Sequence, residues 1–109
     1  FCIFDELYSG TNPYEAISSA YSYLSHISKN KNVRFLLTTH YIRLCNLLDK
    51  KSKIINKSMK TELDQENNPI YTYKIQNGIS SVKGGVSVLR NLKYPEHIIH
   101  MSTYILEKI

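Results

Sequence analysis

Cysteine, glycine and proline are scarce in this chain, with two, four and three among 109 residues. Cys2 lies in an apolar strand pattern and Cys45 in an apolar helical one, so buried thiols in a reducing compartment are expected rather than a disulfide or a zinc site. No run approaches the ~20 apolar residues that span a bilayer, and nothing has the form of a signal peptide. A soluble, intracellular protein with no membrane partner is therefore expected. An initiator methionine is also missing: the chain opens on Phe1, inside an apolar strand, which suggests a fragment of something longer. A phosphate-binding loop is absent as well. Such a loop needs Gly-x-x-x-x-Gly-Lys followed by Ser or Thr, because its amides wrap the phosphates and its hydroxyl reaches the metal. Gly78-Ile79-Ser80-Ser81-Val82-Lys83-Gly84 comes nearest, but its lysine precedes the glycine.

The length leaves room for one modest domain with a small core. A formal net charge of +5 permits a polyanionic partner without demanding one. Lys50, Lys51, Lys53, Lys57 and Lys60 form the densest basic run, yet no aromatic interleaving or recognition helix accompanies them. A solvated surface is the reading that composition supports.

The opening stretch carries the chemistry. Phe1-Cys2-Ile3-Phe4 makes a short strand fit to be buried on both faces, and Asp5-Glu6 stand where it ends. An open α/β sheet binds its ligands at the carboxyl ends of its strands. Adjacent carboxylates there are costly unless a cation meets them, and a magnesium ion with a nucleotide phosphate is a common answer. This has the form of a Walker B strand. The same pattern also arises where a carboxylate merely caps a helix or ends a strand.

A Gly-containing loop, Tyr8 to Asn12, follows. Asn12 suits an N-cap, Pro13 the first helical position, and Glu15 stands three residues after the cap, as in a capping box. Ala16, Ile17, Ala20, Leu24 and Ile27 recur at helical spacing up to about Ser28. Val33-Arg34-Phe35-Leu36-Leu37 is a second apolar strand, so strand, helix and strand imply parallel pairing through a right-handed crossover. Thr38-Thr39-His40-Tyr41 closes it, which brings His40 to the same sheet edge as Asp5 and Glu6. A short helix over Tyr41 to Leu48 comes next, with Ile42, Leu44, Cys45 and Leu48 as its apolar positions.

Beyond Lys53 the period changes to two. Ile55 and Met59, then Tyr71, Tyr73 and Ile75, flank a turn at Asp64 to Pro69. An antiparallel hairpin extending the sheet at one edge is expected. After Asn77-Gly78 come helical patterns over Gly85 to Leu92 and from Pro95 onward. Ile98, Ile99, Ser102, Ile105, Leu106 and Ile109 leave one face of the last helix almost wholly apolar, so it needs a partner surface. His97 and His100 lie about one helical turn apart, but no carboxylate or thiol at matching spacing completes a metal site.

Phe4 to Glu15 resembles the Walker B strand and following loop of the MutS family of DNA mismatch repair ATPases, which typically read Asp-Glu-hydrophobic-Gly-Arg-Gly-Thr-Ser-Thr-Tyr/Phe-Asp-Gly. Thr38-Thr39-His40-Tyr41 resembles that family's Ala-Thr-His-Tyr/Phe motif, and Gly85, Val88 and Pro95 fall where it has Tyr-Gly and a hydrophobic-Pro. The resemblance covers the chain and only the carboxyl-terminal half of the family's ATPase domain. It implies an α/β fold: a partial P-loop NTPase (ABC-type) sheet with flanking helices, an antiparallel edge hairpin and a two-helix C-terminal tail. Residues 1–77 would run from Walker B to the hairpin, and 78–109 would form a helical dimerisation tail.

The resemblance further implies ATP and Mg2+, with Asp5 holding magnesium through water and Glu6 activating the attacking water. Thr39 and His40 would bind the nucleotide, with His40 contacting the γ-phosphate. Ser9, Gly10, Thr11 and Asn12 would face the nucleotide of an opposite subunit in a homodimer or MutS-like heterodimer. DNA, mismatched or branched, would be bound by domains outside this chain. Tyr8-Ser9 for Gly-Arg, Asn12 for Ser, Glu15-Ala16 for Asp-Gly and Gly84 for Tyr mark a divergent branch. An ATPase of the chromosome-maintenance or transporter type and a noncatalytic dimerisation module remain open as alternatives.

Overall fold

Asn12 and Pro13 start the helix on which the first part of the chain packs. In the computed structural model, which describes residues 1–51, 53–82 and 84–109, Asn12 Oδ1 accepts from the backbone N–H of Tyr14 at 2.9 Å. Helix α1 then runs Pro13–Ile27, with Ala16, Ala20 and Leu24 buried four residues apart. The capping box does not close: Glu15 instead accepts the Thr11 hydroxyl at 3.1 Å. A capping box would have the glutamate accept the Asn12 N–H, and the Thr11 hydroxyl competes for the same carboxylate and takes it.

The described residues form a mixed α/β fold with four helices and two small sheets. They divide into two units, Phe1–Ser58 with Gln76–Ser80, and Met59–Ile75 with Ser81–Ile109. In the first unit β1 (Cys2–Asp5) pairs in parallel with β2 (Phe35–Thr38), and the register sets Ile3 opposite Leu36 and Asp5 opposite Thr38. β2 begins two residues later than the apolar pattern suggests. The Asn30 side chain accepts from Asn32 N–H, and its carbonyl accepts from Val33 N–H, so a turn consumes the start of the run. Helix α2 (Ile42–Leu48) packs on α1.

Ala20 and Leu24 of α1 meet Leu44 and Leu48 of α2 in the core, and Phe4, Phe35 and Leu37 pack against them from the strands. Phe4 also meets Tyr23 edge-on, with ring centroids 5.9 Å apart. Both helices therefore cover one face of the sheet. The expectation of burial on both faces fails within this chain: Ile3 is 75% and Leu36 62% exposed. Strand side chains alternate between faces, and the chain's two crossing helices supply a layer for one only.

The hairpin is a second correction. β3 (Lys57–Leu63) and β4 (Pro69–Asn77) form a sheet of their own and do not extend β1–β2. Most of their positions are exposed on both faces, and Lys57, Lys60, Glu62 and Lys74 interrupt any apolar side that a sheet edge would bury. Backbone bonds tie Asp64 to Asn68 at the tip and Asn56 to Gly78 at the base. Between them β4 uses two more residues than β3, and Tyr73 within it has φ +58°. Extra residues and a left-handed backbone on one strand are the marks of a β-bulge.

In the second unit α3 (Gly85–Asn91) packs on α4 (Glu96–Lys108), which buries Ile99. Among the described residues no helix is long and apolar enough to cross a membrane. Lys83, the lysine of the imperfect phosphate-loop pattern, lies outside the described residues.

Candidate functional site

The parallel register of β1 and β2 brings their carboxyl ends level, and the backbone continues the match: Glu6 N–H donates to the Thr38 carbonyl at 2.9 Å. Two acidic residues of one strand thus meet the Thr-Thr-His run of the other. His40 Nε2 lies 2.5 Å from Glu6 Oε1. The imidazole nitrogen and the carboxylate oxygen are thus in direct hydrogen-bonding contact. The His40 side chain is 88% exposed and that of Glu6 43%, so the pair stands open to solvent.

Backbone conformation aims these groups. Glu6 has φ +53° and Tyr8 φ +63°, both left-handed, so the chain turns sharply as it leaves β1. Ser9 N–H donates back to the Glu6 carbonyl at 3.0 Å and closes the turn, while Leu7 packs against the core. Left-handed backbone is costly for residues with a Cβ and persists where surrounding structure imposes it. Gly10 is not among the positive-φ residues.

Thr39 is half-buried, and its hydroxyl oxygen accepts Tyr41 N–H at 3.0 Å, which starts α2 and sets the position of His40. The hydroxyl proton of Thr39 remains to be donated elsewhere. Thr38 points its hydroxyl at Asp5 and donates to Oδ1. In the loop, Ser9, Gly10, Thr11 and Asn12 are exposed, but Thr11 is held by Glu15 and the side-chain carbonyl of Asn12 by Tyr14 N–H. Asp5, Thr38, Glu6 and His40 are therefore brought together, and the loop residues line the start of α1 beside them in sequence. Nothing in the sequence spacing distinguishes Thr38 from Thr39, so the place of Thr38 in the site comes from the strand pairing alone.

The donor set is hard: carboxylate and hydroxyl oxygens. Among the described residues no group of three or more His, Cys, Asp or Glu side chains could enclose a metal ion. Hard oxygen donors of this kind fit Mg2+, which keeps several waters and uses one or two carboxylates beside substrate phosphates. Contrary to the expectation that no carboxylate matches the spacing of His97 and His100, Glu96 stands one turn before His100 on α4 and faces it at 3.6 Å, without a third ligand among the described residues. Both cysteines are free and half-buried, and burial raises the Cys45 thiol above its ordinary value of 9.0. Members of the basic run have local partners: Lys51 stands 5.6 Å over the Tyr21 ring, Lys60 is 3.5 Å from Glu62, and Lys57 donates to Asn77. A hollow lined by His26, Ile27, Lys29, Asn30 and Val33 contains none of the candidate residues.

Comparison with known proteins adds an independent line. The family model described as MutS domain V matches residues 1–109. The DNA mismatch repair protein MutS of Clostridium perfringens is 32% identical over 98% of this chain and 12% of its own length. Its namesake from Streptococcus equi subsp. equi is 29% identical over the same shares. The endonuclease MutS2 of Lactococcus lactis subsp. cremoris is 34% identical over 89% of this chain, again 12% of that protein. The chain thus spans about 12% of the length of these relatives.

Proposed function

Because this chain belongs to the MutS domain V family, we propose that it is the hydrolytic half of an ATPase site in a longer DNA repair protein, where ATP state controls a hold on DNA. The observation that carries this reading is the Glu6–His40 contact of 2.5 Å at the carboxyl edge of parallel strands. A P-loop NTPase sheet of ABC type, of which β1 and β2 are two strands, is part of the proposal. Its phosphate loop belongs to residues outside this chain.

Phosphoryl transfer asks a protein chiefly to position water and neutralise charge. Asp5 would hold Mg2+ through water, and the ion when bound would supply neutralisation of the phosphate charge. Glu6 accepts a proton from a water whose oxygen bonds to the γ-phosphorus as the bond to the bridging oxygen of ADP breaks. His40, aligned against Glu6, donates to a γ-phosphate oxygen, and the Thr39 hydroxyl is available to donate to the same phosphate.

Dimerisation completes the site. The loop of Ser9, Gly10, Thr11 and Asn12 faces the nucleotide of a second subunit, identical or MutS-like. Residues 78–109 serve as the pairing tail, with Ile98, Met101, Tyr104 and Ile105 exposed along α4. Mismatched or branched DNA is bound by domains beyond residues 1–109.

A double-mutant cycle on ATP turnover in the full-length protein tests this. Residues that act as a unit are non-additive. Glu6→Gln and His40→Ala are each expected to slow hydrolysis by about 100-fold or more, and the double variant by little beyond the worse single one. Multiplying effects would show independent roles, and unchanged turnover would remove both residues from the site.

A further inference from the structure

Thr38 occupies a place in the site that its sequence neighbours do not explain. It stands directly opposite Asp5 in the parallel register, and its hydroxyl donates to Asp5 Oδ1. The next backbone link of the ladder, from Glu6 N–H to the Thr38 carbonyl, fixes the same residue from its other side. Thr38 thus grips both halves of the acidic pair: the side chain of Asp5 and the main chain of Glu6. The motif that Thr38–Tyr41 resembles opens on Ala, which has no hydroxyl, so comparing motifs alone passes over this contact.

We infer that Thr38 is a positioning residue for the magnesium side of the site, which orients the Asp5 carboxylate so that Oδ2 is the oxygen offered to the ion's water shell. This role rests on the proposed role of Asp5 and deepens it. An aspartate has two torsions to settle and two equivalent oxygens, and at an exposed strand end neither is fixed by packing. A hydroxyl donor on the facing strand removes that freedom before the ion arrives, which is how partners behind a metal ligand improve affinity. β-Branching helps: Thr has restricted χ1 in a strand, so its hydroxyl is itself held in direction. The contact is open to water, and Asp5 acts through water, so the effect falls at or below the low end of the roughly 10- to 100-fold seen for such partners.

The test uses the full-length protein with Thr38→Val, which keeps the branched shape and deletes the hydroxyl, Thr38→Ser, which keeps the hydroxyl, and Asp5→Asn. Mn2+ as the probe is titrated in the presence of ADP and read by electron paramagnetic resonance, and ATP turnover is measured against Mg2+ concentration. Thermal unfolding confirms that each variant is folded. Thr38→Val is expected to weaken Mn2+ binding about 3- to 10-fold and to raise the Mg2+ requirement equally. Turnover at saturating Mg2+ should stay within about twofold, and Thr38→Ser should recover most of the affinity. Should Asp5→Asn weaken Mn2+ binding while Thr38→Val matches the parent, Thr38 has no positioning role and the ATPase reading stands. Should neither variant shift the titration, the assignment of Asp5 falls and takes the role of Thr38 with it. A loss with Thr38→Val that Thr38→Ser fails to recover would also overturn the inference, since it would trace to shape rather than to the hydroxyl.

Discussion

Leu24→Ala is the perturbation that reads out how the sheet edge is supported. Leu24 is fully buried, in contact with the α2 residues Leu44 and Leu48 and with the half-buried strand side chains that hold β1 and β2 in register. Truncating a buried leucine removes its transfer free energy and leaves a cavity, for a loss of about 3 to 5 kcal/mol. The neighbours Phe4, Ile17 and Tyr21 are only partly buried and can relax inward, so the lower part of that range applies, about 3 kcal/mol. Ordinary domains hold about 5 to 15 kcal/mol in all. Because the chain has no tryptophan, far-ultraviolet circular dichroism during urea titration is the suitable probe. With a urea slope of about 1.5 kcal/mol per molar, the midpoint should fall by about 2 M. Leu36→Ala on the uncovered face, where 62% of the residue is already exposed, should cost less than about 1 kcal/mol. Equal shifts for the two variants would refute the one-sided packing of the sheet.

Two further outcomes follow from backbone and burial. Tyr8→Val puts a β-branched residue at φ +63° and should lose about 1 kcal/mol, whereas Gly10→Ala, with open space around its Cβ and no positive φ, should change stability by under ~0.5 kcal/mol. Urea titration of the two variants decides, and the reverse order would move the bend to Gly10. Cys45 binds its proton more tightly when folded, because burial disfavours the thiolate and Asp49 adds to the effect. Its contribution is therefore complete below pH 9.0 and is lost as pH rises from there through the higher value of the folded state. Stability of the parent should fall more steeply than that of Cys45→Ala above pH 9.0, and iodoacetamide should label Cys45 more slowly than free cysteine at about pH 8.

The parts of the fold that were legible in the sequence are those fixed by local chemistry. Asn12-Pro13 announced a helix start, apolar runs on either side of α1 announced parallel strands, and parallel strands put His40 beside Glu6. What escaped the sequence depended on competition between neighbours. Glu15 had two possible donors and took the Thr11 hydroxyl. The sequence marks a Gly-containing loop over Tyr8 to Asn12 without placing its bend, and the turn closing Ser9 on Glu6 puts the left-handed positions at Glu6 and Tyr8. The hairpin read correctly as a pair of alternating strands. Its bulge at Tyr73 and its separation from β1–β2 depend on register, which alternation does not encode. Thr38 and Thr39 are indistinguishable as letters, and only the strand pairing sends one hydroxyl to Asp5 and the other to the start of α2.

The central claim is that Glu6 takes the proton from the attacking water. Single-turnover cleavage of ATP by the full-length Glu6→Gln protein tests it most directly, with nucleotide affinity measured on the same sample. Affinity within about threefold of the parent and cleavage slowed about 100-fold or more is the expected result. Cleavage at the parent rate with normal affinity would contradict it.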